Sequence, residues 1–242
     1  MNLPAALPDR RLSLITLLLV GLGIIMVYAS STYRATLGDA TEFSLAARQT
    51  QRALVGLVVL GVAAALPYRL SARLALYGLP VAMGLLLLTV LGGAGVLGRH
   101  GINRWVHIAG VVVQPVEMAK LCLALALPWW IDRHPEVCTR PREFFRMAAV
   151  PGLVVVLLAL QPNFGSALAL SLLTLSIFWL GGVSARFLST LLAGGVMLCW
   201  LAYLHVNKVH ERVDAWWSLL AHGRADGDYG YQSFQALSLI HI

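Results

Sequence analysis

The sequence predicts an all-α fold, a polytopic transmembrane helical bundle, and three observations carry that expectation. Of the 242 residues, 59% are hydrophobic and 12% charged, about half the charge of an average soluble domain. Apolar runs long enough to approach the roughly 30 Å of a bilayer's hydrocarbon recur seven times, at 12–29, 53–67, 74–91, 116–131, 147–160, 164–180 and 187–204. Basic residues in alternate short connections give a moderate positive-inside bias, with nearly as many spread over longer segments on the opposite side. Residues 1–242 are therefore expected to form a single integral-membrane domain whose core lies between spans and against lipid, with 205–242 an extracytoplasmic loop region.

Arg10 and Arg11 precede the first run, and Ala29 and Ser30 follow it, a pattern shared with signal peptides. A run of about eighteen residues favours a retained anchor. The second, fourth and fifth runs are short and are expected to lengthen into their flanks. Arg48 and Arg52 stand one turn apart at the head of the second and can snorkel to the interface. Pro80, Pro128 and Pro151 fall within or beside spans, and Gly21, Gly23, Gly194 and Gly195 would allow close helix approach; both are ordinary features of membrane packing.

Arg69 and Arg73, then Arg133, Arg140, Arg142 and Arg146, then Arg186 all fall on the side of Arg10 and Arg11, which is read as cytoplasmic. The 92–115 loop, the 161–163 turn and the tail from His205 then face outside. The formal charge of +7 is scattered between apolar runs without a basic stripe, which argues against nucleic acid and for topology and anionic membrane lipids. Cys122, Cys138 and Cys199 show no CxxC spacing and read as packing residues.

Polar chemistry gathers in three outside segments. The first, "GINRWVHIAGVVVQPVEMAKL", starts a span at Pro115, which suits the first turn of a helix, and puts Glu117 at the positive end of its dipole. Lys120 lies one turn on, on the same face. In hydrocarbon each charge would cost roughly 2.5–3.5 kcal/mol. Either the two form an intrahelical pair that hides them from lipid, or they face a polar cavity and hold a substrate.

In the second segment, "LQPNFGSAL", Pro162 and Gly165 reverse the chain, and Asn163 can cap the following helix or line a cavity. The third, "NKVHERVDAWWSLLAHGRADGDYGYQSFQAL", sets Asp214, Asp226 and Asp228 near Arg212, Arg224 and Tyr231. Its "ADGDYGYQ" is loop-like by its glycines. The alternating acids do not have EF-hand spacing, so a solvated turn is the simpler reading.

Together these segments resemble the family of RodA, FtsW and SpoVE type peptidoglycan glycosyltransferases. "GINRWVHIAGVVVQPVEMAKL" is similar to its Gly-x-x-Arg-Trp followed by Gln-Pro-Ser-Glu-x-x-Lys, with Val116 where serine is usual. "QPNFGSA" resembles Gln-Pro-Asp-x-Gly-Thr, with Asn163 replacing the acid, and "GYQSFQAL" resembles Gly-Tyr-Gln-x-x-Gln-Ser-Leu. "DRRLSLITLLLVGLGIIMVYASS" is similar to the family's first span.

The resemblance implies a membrane enzyme of about ten spans, of which seven are expected here. The sequence ends at "SLIHI", before the family's later motif and last helices, so the expectation is a C-terminally truncated member, inactive alone. The implied reaction is polymerisation of lipid II, an undecaprenyl-pyrophosphate-linked disaccharide-pentapeptide, outside the bacterial cytoplasmic membrane during elongation or division. A sugar hydroxyl attacks an anomeric carbon, the pyrophosphate leaves and the configuration inverts.

An unactivated hydroxyl needs a base, a contribution of typically about 10²–10⁴-fold, and a partly desolvated aspartate suits that role. Family spacing counted back from Gln232 lands on Ala225, so the general base is expected at Asp226, with Asp228 and then Asp214 as alternatives. Arg104 and Lys120 would face the pyrophosphate. Glu117 would orient Lys120 or help hold a divalent cation, Mg or Mn. Gln114, Asn163, Arg212, Tyr231 and Gln232 complete the expected substrate-binding set. A class B penicillin-binding transpeptidase is the implied partner. The alternatives are a flippase or transporter of the lipid-linked precursor, against which the absence of an inverted repeat speaks, and a non-catalytic membrane scaffold of the cell-wall synthesis machinery.

Overall fold

A computed structural model describes residues 9–35, 42–91, 104–108 and 111–222. All seven predicted spans are helical, and the short ones lengthen as expected. In chain order the α-helices are α1 (Arg10–Ala35), α2 (Glu42–Ala65), α3 (Tyr68–Leu91), α4 (Pro115–Arg133), α5 (Pro141–Leu160), α6 (Phe164–Leu180), α7 (Ala185–His205) and α8 (Asn207–His222). Among the described residues four segments are long and apolar enough to cross a membrane: Arg10–Ala29 of α1, all of α3, all of α5 and all of α7. The apolar α6 has 17 residues.

Two findings depart from the sequence reading. The 92–115 loop contains an antiparallel pair, β1 (Val106–Ile108) and β2 (Val111–Val113), with Val106 opposite Val113. The segment from Asn207 to His222, read as part of a polar loop region, is α8. Its charges and apolar residues alternate at helical spacing, and that pattern was masked by a mean hydropathy typical of a loop.

The chain divides into two compact units, Met1–Leu74 and Ala75–Ile242. In the first, α1 and α2 pair. Asp9 caps α1, its Oδ1 accepting from the Arg11 N–H at 2.8 Å. Leu12, Leu14, Ile15, Leu17, Leu18 and Leu19 are all exposed, so α1 is apolar on every side, as a lipid-facing helix should be. Helix α2 ends at Ala65, two residues before Pro67, because proline removes the next donor and disfavours the α region just before it.

In the second unit the core is built from α3 beyond Ala75 and from α4 to α7. Phe144, Met147, Val154 and Leu158 of α5, Leu170 and Phe178 of α6, and Leu123 and Leu127 of α4 are fully buried. Phe144 stacks on Phe187 at 4.9 Å and meets Phe178 edge-on at 5.4 Å, tying three helices together at one end. A 3₁₀ turn, Pro135–Cys138, joins α4 to α5, and the Cys138 carbonyl accepts from Ser184 N at the start of α7, 3.1 Å away.

The glycines expected at close helix approaches are not the ones used. A Cβ added at Gly21, Gly23, Gly194 or Gly195 would meet nothing within 4 Å. At Gly78 it would come 3.0 Å from the Cys122 sulfur, and at Gly181 2.9 Å from Ile131 Cδ1. The tight contacts are thus between α3 and α4, and between the end of α6 and α4, where a side chain would push helices apart.

Candidate functional site

Two of the three segments expected outside meet. The Arg104 guanidinium donates from Nη2 to the Pro162 carbonyl at 3.0 Å, joining the segment before α4 to the α5–α6 turn. The hairpin prepares this. Its register pairs Val106 with Val113, and the chain goes on through Gln114 to the head of α4. The sequence reading placed Arg104 and Asn163 in one substrate-binding set, and the fold makes Asn163 the immediate neighbour of the residue that Arg104 holds.

The turn is pinned from the other side by Gln161, which sequence reasoning left out of the site. Its buried side-chain amide donates to the Leu86 carbonyl at 3.2 Å and to the Thr89 hydroxyl, both in the last turns of α3. The Thr89 hydroxyl in turn donates to Leu86 O at 2.7 Å. A lone threonine within "LLLLTVL" and a glutamine directly after the apolar run of α5 were the available signals, since a polar group taken out of water requires a partner.

Asn163 occupies the N-cap position of α6, but its side chain makes no capping bond. Its carbonyl accepts the first helical N–H, from Ala167 at 3.0 Å. The residue is buried, with 7% exposure, and its Nδ2 has no acceptor among the described residues; neither has the buried Nε of Arg104. Both donors are sealed from the surface, so they are buried polar groups that the protein itself leaves without acceptors.

Pro115 is the first residue of α4, Gln114 its N-cap, and Glu117 lies in its first turn, as the sequence predicted. Lys120 Nζ lies 2.7 Å from Glu117 Oε1. Lys120 is 28% exposed and Glu117 58%, so the pair sits at the surface of this unit with its lysine stem against the protein.

Asp214 lies in the middle of α8, where its Oδ2 is 3.0 Å from His210 Nε2 and its Oδ1 accepts from the Tyr203 hydroxyl of α7 at 3.3 Å. The Tyr203 and His210 rings lie 4.6 Å apart. Both carboxylate oxygens are thus engaged. Arg212 is on the same helix. Asp226, Asp228, Tyr231 and Gln232 lie outside the described residues. Among the described residues no group of three or more His, Cys, Asp or Glu could hold a metal ion. Glu117, the residue expected to help hold a cation, is paired with Lys120 among the described residues.

The sequence profile of the FtsW, RodA and SpoVE family, described as cell cycle proteins, matches residues 10–241. The chain belongs to this family. Among named relatives, a probable peptidoglycan glycosyltransferase FtsW of Geobacter sulfurreducens is 28% identical over 236 residues, covering 94% of this chain and 60% of that protein. One of the same name from Burkholderia thailandensis is 27% identical over 228 residues, 90% of this chain and 48% of that one. The chain thus spans about half the length of these relatives.

The fold of this FtsW/RodA/SpoVE member is shared with solved relatives. An aspartate-to-alanine variant of Thermus thermophilus rod shape determining protein RodA superposes with a TM-score of 0.55 at 27% identity, over 74% of this chain and 58% of that one. A peptidoglycan synthase complex, described as coordinating polymerization and crosslinking, gives 0.56 at 25% identity, over 80% and 59%. This family member is a polytopic helical membrane protein.

Proposed function

We propose that this protein is a peptidoglycan glycosyltransferase of the bacterial cytoplasmic membrane, polymerising lipid II on its outer side with a class B transpeptidase as partner. The observation that carries the reading is the match of residues 10–241 to the FtsW, RodA and SpoVE family, and the Arg104 to Pro162 bond at 3.0 Å brings two of its polar segments together. The names of the FtsW relatives and the polymerising and crosslinking complex support the activity and the partner.

In this mechanism a sugar hydroxyl of one lipid II loses its proton to Asp226 as its oxygen attacks the anomeric carbon of another. The bond from that carbon to the pyrophosphate breaks on the opposite face, so the configuration inverts. Arg104 and Lys120 take up the charge that grows on the leaving group, and Glu117 holds Lys120 in place at 2.7 Å. Gln114, Asn163, Arg212, Tyr231 and Gln232 offer hydrogen bonds to the substrate. Asp228 is the second candidate for that base. Asp214 is the third, because His210 and Tyr203 already occupy its oxygens.

The test is lipid II polymerisation in liposomes, using the longest reading frame that carries this chain, co-purified with its cognate transpeptidase, for wild type, Asp226→Ala and Asp228→Ala. Strands that vanish only with Asp226→Ala support the reading and its base. Loss only with Asp228→Ala keeps the enzyme and moves the base. A folded wild-type complex that makes no strands overturns it, and translocation of labelled lipid II then becomes the assay.

A further inference from the structure

We propose that α8 is an interfacial helix, lying along the bilayer surface with one face inserted at head-group level. This goes beyond the catalytic reading and does not depend on it. Four large apolar residues of α8 are exposed: Val213 at 45%, Trp216 at 59%, Trp217 at 66% and Leu220 at 61%. Their spacing of three, four and seven places them in one stripe. The opposite arc carries Asn207, Glu211, Asp214 and Ser218. A soluble surface that exposed two adjacent tryptophans in a continuous stripe would be an adhesion liability.

The occupant of the stripe follows from the position of α8 in the chain. Helix α7 has 21 residues, which at 1.5 Å each make about 31 Å, the thickness of the hydrocarbon layer. Only Val206 separates its last residue, His205, from Asn207, so α8 starts where α7 leaves the membrane. Trp200 and Tyr203, in the last two turns of α7, mark the aromatic belt of that interface, and Trp216 and Trp217 continue it.

The corner itself is fixed by the Tyr203 hydroxyl and His210, which hold Asp214 from the two helices at 3.3 and 3.0 Å. At 16 residues α8 is about 24 Å long, too short and too amphipathic to cross. A polar face opposite a tryptophan-bearing one is the signature of a helix that lies in the interface plane.

The test places nitroxide labels, one at a time, at 213, 217 and 220 and at 207, 211 and 218, with Cys122, Cys138 and Cys199 replaced, in vesicles of phosphatidylethanolamine and phosphatidylglycerol. At 213, 217 and 220, collisions with oxygen should exceed those with a water-soluble nickel chelate severalfold, and at 207, 211 and 218 the ratio should reverse. Equal exposure to the chelate around the whole helix overturns the proposal in favour of a solvated helix. Exclusion of both reagents from the stripe overturns it in favour of a protein surface, either another part of the chain or a second copy.

A second measurement needs no label. Brominated phosphatidylglycerol should quench wild-type tryptophan emission more than that of Trp216→Phe/Trp217→Phe, and equal quenching counts against insertion.

Discussion

Arg104 and Pro162 lie 58 positions apart in the chain, and the guanidinium Nη2 of one is 3.0 Å from the carbonyl oxygen of the other. A hydrogen bond to a charged group contributes about 1.5–3 kcal/mol. Because Arg104 is only partly buried, Arg104→Ala should cost near the lower end of that range. Arg104→Lys keeps the charge but loses the planar fork, and should fall between alanine and wild type. Thermal unfolding in detergent, with Cys138 and Cys199 replaced and followed by a thiol-reactive dye that reaches the buried Cys122 only on opening, reads the order. Alanine as stable as wild type would show that the bond holds nothing.

Gln161 and Thr89 should behave as one unit. Thr89→Val removes the hydroxyl while keeping the shape, and Gln161→Leu leaves the Leu86 carbonyl with one donor fewer. Each should destabilise by about 1–3 kcal/mol, and the double variant by less than the sum of the two. Strict additivity in the same unfolding assay would mean that the two side chains are energetically independent.

The Glu117 and Lys120 pair distinguishes charge cover from function. Glu117→Gln with Lys120→Met removes both charges at once, so no lone ion is left at membrane depth. If the pair serves the leaving group, folded yield persists while strand synthesis falls by more than about tenfold, or 1.36 kcal/mol of transition-state stabilisation. Full activity in the double variant would reduce the pair to an internal neutralisation.

At the α5, α6 and α7 junction, Phe144→Ala should be among the most damaging core changes. Phe144 is fully buried and contacts both Phe178 and Phe187, and such truncations cost about 3–5 kcal/mol. Phe145, 44% exposed, should tolerate alanine with a clearly smaller loss. Equal unfolding midpoints for the two variants would contradict this packing.

Glycine substitutions should separate by position. Gly78→Val forces a side chain against the Cys122 sulfur, which a Cβ alone would approach to 3.0 Å, and should part α3 from α4 and lower the midpoint. Gly194→Ala meets no neighbour and should be neutral or stabilising by up to about 1 kcal/mol, since alanine is the better helix former. A harmless Gly78→Val would mean that the two helices are not in contact there.

Membrane character, the seven apolar helices, the Pro115 start of α4 and the Glu117 to Lys120 pair were all legible in the sequence. They depend on hydropathy, on proline's fixed φ and on neighbours one turn apart, which are local properties of the chain. The sequence also named the three polar segments. What it could not give was their convergence: Arg104 reaching the turn before Asn163, or Gln161 reaching Thr89. Such contacts join residues tens of positions apart, and only the packing of helices decides which polar group at membrane depth finds which partner. The same holds for the glycines, where identical residues at 78 and 194 differ by whether another helix arrives. For α8, composition averaged a charged face and a tryptophan face into an apparent loop, and the helix separates them, because side chains three and four apart share a surface only once the backbone is wound.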